Sequence, residues 1–120
     1  MCHGFPNFFF PGGPHGASGN NPRYGGDQCD FIADLIDHAR DHGYRRVEVP
    51  LESEAAWNAM VDKYRAYSSF IEHGQYYGAN VSGKPRRFLL NPGGRPKLRE
   101  MMGDVVGNGY RGFLSGPAEP

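Results

Sequence analysis

Two stretches of this 120-residue chain hold residue types that can meet a ligand. The first is the loop at residues 12–26, GGPHGASGNNPRYGG. Its glycines allow positive φ and let a backbone come close to a bound molecule. Amides just ahead of a helix can meet an anion or the polar edge of a ring. Gly13, Pro14, His15 and Gly16 form its first half, and Asn20 and Asn21 add amide donors and acceptors. The plainer reading is a surface connection, although fifteen structureless residues inside a compact domain are uncommon unless they serve a function. This loop contains neither a GxGxxG nor a GxxxxGK[ST] pattern, so a cofactor held by it would be held as a secondary contact.

The second stretch is residues 73–88, HGQYYGANVSGKPRRF, where tyrosines and glycines precede Lys84, Arg86 and Arg87. Guanidinium and ammonium groups in that order suit a phosphate. Basic residues among aromatics also suit single-stranded nucleic acid, and a solvated surface run is the third reading. Between Lys84 and Arg99 there are six basic residues and no acid. The whole chain, however, balances 13 basic against 13 acidic side chains, so bulk charge gives no reason to expect nucleic acid or an anionic membrane as partner.

Other candidates are weaker. His38 and His42 stand four apart on a helical stretch, but no HExxH and no third ligand accompany them, so solvated helix-end histidines are expected and no metal site. Cys2 and Cys29 give no disulfide framework and read as free buried thiols. No nucleophile elbow, Ser/His/Asp order or paired carboxylates can be argued, so no catalytic residue is assigned.

The elements that must position these stretches are few. Residues 5–10 read as a short aromatic strand between prolines. Residues 27–42 read as an amphipathic helix with Phe31, Ile32, Leu35, Ile36 and Ala39 on one face and Gly43 as its stop. Residues 44–49 read as a strand with Arg45, Arg46 and Glu48 outward or at its ends. Residues 52–66 read as a helix with Ala56, Trp57, Met60, Val61 and Tyr64 inward, capped by Ser53 or approached through Pro50. Residues 68–85 show no period, 87–90 read as a strand, 96–106 as a helix with Leu98, Met101, Met102, Val105 and Val106 apolar, and 112–114 as a last strand.

Eighteen glycines and ten prolines place the composition just below the share, about 25–30%, at which low-complexity behaviour sets in. A loop-rich structure held by a few large rings is expected. One domain is the most that 120 residues allow. No signal peptide and no apolar run near 18 residues appears, which reads as a cytoplasmic protein. The strands are short, separate and few, and short strands need neighbours or a covering helix. The pattern looks like the end of something larger.

GFPNFFFPGGPHGASGNNPRYGGDQ, GYRRVEV, YYGANVSGKPRRFLLNPGG and DVVGNGYRGFLS occur in that order. Together they resemble the C-terminal stretch of Baeyer–Villiger monooxygenases of the cyclohexanone and cyclopentadecanone type. The resemblance covers essentially the whole chain. It implies a mixed α+β fragment, residues 1–120, of an FAD-binding fold with no complete dinucleotide-binding domain: three helices, a few short strands and long loops. It implies an enzyme in which NADPH reduces FAD, oxygen adds to the flavin, and one oxygen atom is inserted into a ketone, cyclic or bulky. Gly13, Pro14, His15, Gly16, Asn20 and Asn21 would then lie beside flavin and substrate. Tyr76, Gly78, Asn80 and Lys84 would belong to a mobile loop folding over NADP. Gln75 stands where the family often has tryptophan, and Ser82 where proline is usual. The glycine fingerprints, signature histidine motif and catalytic arginine of the family do not occur in these residues. The resemblance therefore implies a segment inactive alone and completed by the missing nucleotide-binding portion. The alternative is a small protein-interaction module derived from the same fold, using exposed aromatics.

Overall fold

The computed structural model describes residues 1–17, 20–65, 82–83, 89–91 and 93–116. Three helices carry them: α1 (Asn21–Asp41), α2 (Leu51–Arg65) and α3 (Gly94–Gly107). Four very short strands form two pairs. β1 (Gly16–Ala17) runs parallel to β3 (Leu90–Asn91), and β2 (Arg46–Glu48) runs antiparallel to β4 (Leu114–Gly116). The architecture is the mixed α+β fragment expected from the sequence.

Helix α1 starts six residues before its apolar stripe suggested. Asn20 caps it, its Oδ1 accepting the Arg23 N–H at 3.2 Å, and a proline occupies the first turn. Proline there loses no helical bond, because the first N–H groups of a helix have no internal acceptor. Gly25 and Gly26 lie inside the helix at a cost of about 1 kcal/mol each relative to alanine. The burial of Tyr24 one turn in offsets part of that cost. The loop is correspondingly shorter than residues 12–26: Asn20 is a helix cap and Asn21 is helical.

The apolar stripe of α1 feeds two clusters. Leu35 and Ala39 are buried with Val47 and Tyr110, and Phe9, Phe31, Tyr44, Val105 and Phe113 pack around them. Tyr24 is buried with Leu98, flanked by Trp57 and Met102. Ile36, expected inward, is exposed, as is Val106 on α3. Tyr110 follows α3 in a left-handed conformation, φ 58°, with its N–H on the Val105 carbonyl at 2.9 Å. That reversal turns its ring back onto α1, 5.9 Å from Phe31 and 4.6 Å from His38. His38 is half-buried against Tyr110 and 4.2 Å from the His42 ring, so it is not the solvated residue its spacing suggested.

The expected aromatic strand at residues 5–10 does not form. Pro6 and Pro11 cannot donate to a ladder, and Asn7 sits at φ 58° between them. Asn7 instead does the work of a strand at one point. Its N–H donates to the Val47 carbonyl (2.9 Å), its Oδ1 accepts the Val47 N–H (2.9 Å), and its Nδ2 donates to the Arg45 carbonyl (2.9 Å). The edge of β2 opposite β4 is thereby closed by one side chain. Phe5 and Phe8 remain exposed, in a ladder with Phe10 at centroid spacings of 6.3 and 5.7 Å.

Glu48, expected outward, is buried at 3% exposure. Burial of a carboxylate requires donors, and three are present: Arg46 Nη2 at 2.6 Å, Arg46 Nε at 3.2 Å and the Gly4 N–H at 2.8 Å. His3 lies 3.6 Å away, and its own N–H donates to Glu54 at the start of α2 at 2.5 Å. The amino-terminal segment is pinned to β2 and α2 by these bonds. Cys2 is half-buried, and burial together with Glu54 pushes its thiol up, away from reactivity. Cys29 is exposed on α1, contrary to the expected burial. Helix α2 begins directly after Pro50, with no cap from Ser53. It buries Val61 completely, half-buries Trp57 and Met60, and leaves Ala56 exposed. The predicted strand at 87–90 is seen only as Leu90–Asn91, with residues 87 and 88 outside the described part, and the last strand is Leu114–Gly116.

Asn7→Ala removes two side-chain hydrogen bonds and strands the Val47 N–H, so it lowers unfolding free energy by about 1–3 kcal/mol in urea titration. Asn7→Gly relieves the left-handed backbone but still loses both side-chain bonds, and should not restore stability. Arg46 and the Gly4 N–H hold the Glu48 carboxyl below the usual carboxylate range, and Arg95 does the same for Asp27. A depressed folded-state value adds stability that is complete above the ordinary carboxylate range and is lost as pH falls through the folded value. Thermal melts should therefore show a fall in stability below about pH 4, shallower in Glu48→Gln.

Candidate functional site

The glycine-rich loop is held by contacts from each neighbouring element. The Gly12 N–H donates to Gln28 Oε1 on α1 at 2.8 Å. The Gly13 N–H donates to the Phe10 carbonyl (3.1 Å) and the Gly16 N–H to the Gly13 carbonyl (3.2 Å), which coils residues 10–16 into successive turns. A side chain at Gly13 would run into the Phe10 ring. His15 takes a left-handed backbone, φ 66°, with its N–H on the Leu89 carbonyl at 2.7 Å. Gly16 and Ala17 then pair with Leu90 and Asn91, so the loop and the chain that follows the basic stretch meet side by side. Gly16 is buried, and a Cβ there would lie 3.1 Å from the Tyr24 ring. Glycine is required at both positions by close approach.

Of the candidates named from sequence, the structure brings Gly13, His15 and Gly16 into one ordered turn against Tyr24 and Trp57. Pro14 is exposed on its outer side. Asn20 and Asn21 stand exposed at the amino end of α1, Asn20 committed by its side chain to the cap. Tyr76, Gly78, Asn80 and Lys84 lie outside the described residues.

Three contributors were not foreseen. Trp57 donates its indole N–H to His15 Nδ1 at 3.0 Å, from a helix face assigned only to packing. A tryptophan that is partly buried needs an acceptor for its one N–H, and that need was the available signal. Asn91 is wholly buried. Its Oδ1 accepts the Gly93 N–H at 3.0 Å, and its Nδ2 has no hydrogen-bond partner among the described residues. A buried donor left without an acceptor costs about 1–3 kcal/mol. Asp27 and Arg95 form a two-bond ion pair, Nε–Oδ2 2.6 Å and Nη2–Oδ1 3.0 Å, with Arg99 3.9 Å from the same carboxylate. This pair joins α1 to α3 beneath the loop across 68 residues of sequence, a separation that no local pattern could bridge. It uses Arg95 internally, which removes that guanidinium from the group of basic residues available to a phosphate.

The site is therefore a tight turn whose Gly12, Gly13, His15 and Gly16 N–H groups are paired internally, with one oriented histidine and, among the described residues, one unsatisfied buried amide. Among the described residues there is no cluster that could hold a metal ion and no helix long and apolar enough to cross a membrane.

No family model matches the chain. Individual proteins do. Phenazine N-monooxygenase of Lysobacter antibioticus is 32% identical over 112 residues, covering 92% of this chain and 21% of its own. Acetone monooxygenase (methyl acetate-forming) of Gordonia sp. strain TY-5 is 33% identical over 117 residues, covering 94% and 22%. A Baeyer–Villiger monooxygenase of Pseudooceanicola batsensis is 29% identical over 111 residues, covering 92% and 20%. Among solved structures, cyclohexanone monooxygenase of Rhodococcus sp. Phi1 bound to NADP+ superposes with a TM-score of 0.86 at 31% identity over 95% of this chain and 22% of its own. OTEMO in complex with FAD and NADP gives 0.81 at 28% identity over 97% and 23%. The chain thus spans about a fifth of the length of the relatives it matches. Sequence and fold agree on the same relationship: this chain is a segment-length relative of the Baeyer–Villiger monooxygenases, matching about one fifth of such an enzyme along nearly its entire length.

Proposed function

We propose that the chain is the C-terminal segment of an FAD- and NADPH-dependent monooxygenase that inserts oxygen into ketones, cyclic or bulky ones, working in the cytoplasm. In this reading it supplies one wall of the active site and does no chemistry alone. The supporting observation is the chain-long superposition, TM-score 0.86, on one fifth of a cyclohexanone monooxygenase bound to NADP+. Flavin, when bound, supplies the oxygen-transferring chemistry, and the protein supplies orientation and exclusion of water.

The residues present fit such a group as a lateral contact. Gly13 and Gly16 let the turn fold tightly against Phe10 and Tyr24, and the half-buried His15 is held there in a fixed orientation by Trp57. Pro14, Asn20 and Asn21 complete the flavin- and substrate-side surface. Tyr76, Gly78, Asn80 and Lys84 form the NADP-side loop on the strength of their sequence resemblance. The exposed rings of Phe5 and Phe8, in a ladder with the half-buried Phe10, and the exposed Leu51 and Ile36 support packing against the nucleotide-binding portion. The same ladder favours the second reading, a module that binds another protein through these rings.

The experiment is a pair of reconstitutions. The purified chain alone should bind no flavin, remaining colourless, and should show no ketone-dependent NADPH oxidation. Mixed with the complementary four-fifths of a relative such as cyclohexanone monooxygenase, it should restore flavin retention and turnover. Failure to restore either, with both parts folded, would remove the enzyme reading and leave the interaction module. Within the loop, Gly16→Ala should displace the Tyr24 ring and destabilise the chain by about 1–3 kcal/mol in equilibrium denaturation.

A further inference from the structure

A neutral imidazole carries one donor nitrogen and one acceptor nitrogen, and an indole carries a donor only. Trp57 Nε1 meets His15 Nδ1 at 3.0 Å. The Trp57 N–H has to donate, so Nδ1 has to accept, and the proton of the neutral His15 ring resides on Nε2. The main chain at His15 is fixed independently, by its left-handed φ of 66° and the bond from its N–H to the Leu89 carbonyl. Trp57 in turn is packed against the buried pair Tyr24 and Leu98 beside Met102, so the indole is itself held in place.

We propose that Trp57 is the positioning residue of the glycine-rich loop: it locks His15 in the Nε2–H tautomer. Any partner of Nε2, in this chain or in a ligand, is then an acceptor. A ligand that met Nε2 would therefore have to bring an electron-rich oxygen or nitrogen, such as a carbonyl oxygen or a ring nitrogen, and not a donor such as an amine or amide N–H. The inference deepens the flavin- and substrate-side reading of the loop and rests on it for the ligand's identity. The lock itself stands on the geometry of two side chains 42 residues apart.

The test needs no flavin, so failure of the lock and failure of the cofactor reading are separable. The 15N-labelled 120-residue chain is examined at about pH 8, well above the ordinary imidazole range. Long-range 1H–15N spectra of the histidine rings, assigned by comparison with His15→Ala, should show His15 as Nε2–H. The chain has a single tryptophan, so its indole N–H gives one unambiguous signal. That signal should move to the position of an unbonded indole in His15→Ala. Trp57→Phe keeps a ring in the pocket and removes the donor. It should leave the backbone amide spectrum close to wild type while His15 loses its single tautomer and becomes a mixture. A wild-type His15 found as Nδ1–H, or an indole signal indifferent to His15→Ala, would overturn the proposal. So would a tautomer unchanged in a folded Trp57→Phe chain. If Trp57→Phe fails to fold, the His15→Ala readout on the indole decides alone.

Discussion

The structure depends on helix α1 having one face long enough to serve two apolar clusters. Over 21 residues it carries Tyr24 into one and Leu35 with Ala39 into the other. Leu35 contributes about 1.5–3 kcal/mol by leaving water, and the single methyl of Ala39 less. Helix α3 is fastened to α1 twice: Leu98 and the Arg95–Asp27 pair hold its start, and the reversal at Tyr110 folds its end back onto Phe31 and His38. The Ala39 carbonyl also accepts the Tyr44 N–H at 2.8 Å, which aims β2 away from the helix end at a fixed angle. With α1 and α3 clamped together, the loop between Phe10 and Asn20 has a rigid floor.

Strand edges are the second constraint. Two-residue and three-residue strands cannot stand alone, and neither pair here grows into a larger sheet among the described residues. The chain resolves this locally. Asn7 closes one edge of β2 with its side-chain amide, and Glu48 gathers Arg46 and the Gly4 amide around the end of the same strand. Polar groups do here what a neighbouring strand does in a larger sheet. That solution leaves Phe5 and Phe8 outside, exposed on the surface.

The loop connects both constraints to chemistry. Its turns are set by glycines that admit no side chain at Phe10 or Tyr24, its histidine by a tryptophan from α2, and its far end by pairing with β3. A turn built this way holds its histidine at a fixed position without needing a deep pocket of its own. It is the kind of surface that becomes a site when a cofactor and a second wall are brought against it, which is why likeness to a fifth of a flavin enzyme and the geometry of the turn lead to one reading.

Read alone, the residues already determined the three helices, the mixed class and the likeness to the Baeyer–Villiger monooxygenases. These follow from local information: the 3.6-residue spacing of Leu35 and Ala39, the stop at Gly43, and uncommon strings in a fixed order. Helix starts were misplaced where a cap and a proline outweighed internal glycines, as at Asn20 and Gly25. The aromatic strand failed because a run of phenylalanines signals apolar character but not the availability of a pairing partner. Glu48 read as outward because an isolated strand gives no hint that Arg46 and Gly4 will enclose its carboxylate. The Trp57–His15 bond, the Asp27–Arg95 pair and the orphaned Asn91 amide were decided only in three dimensions. Each joins or isolates groups far apart in sequence, and directional hydrogen bonds leave no periodic trace along a chain.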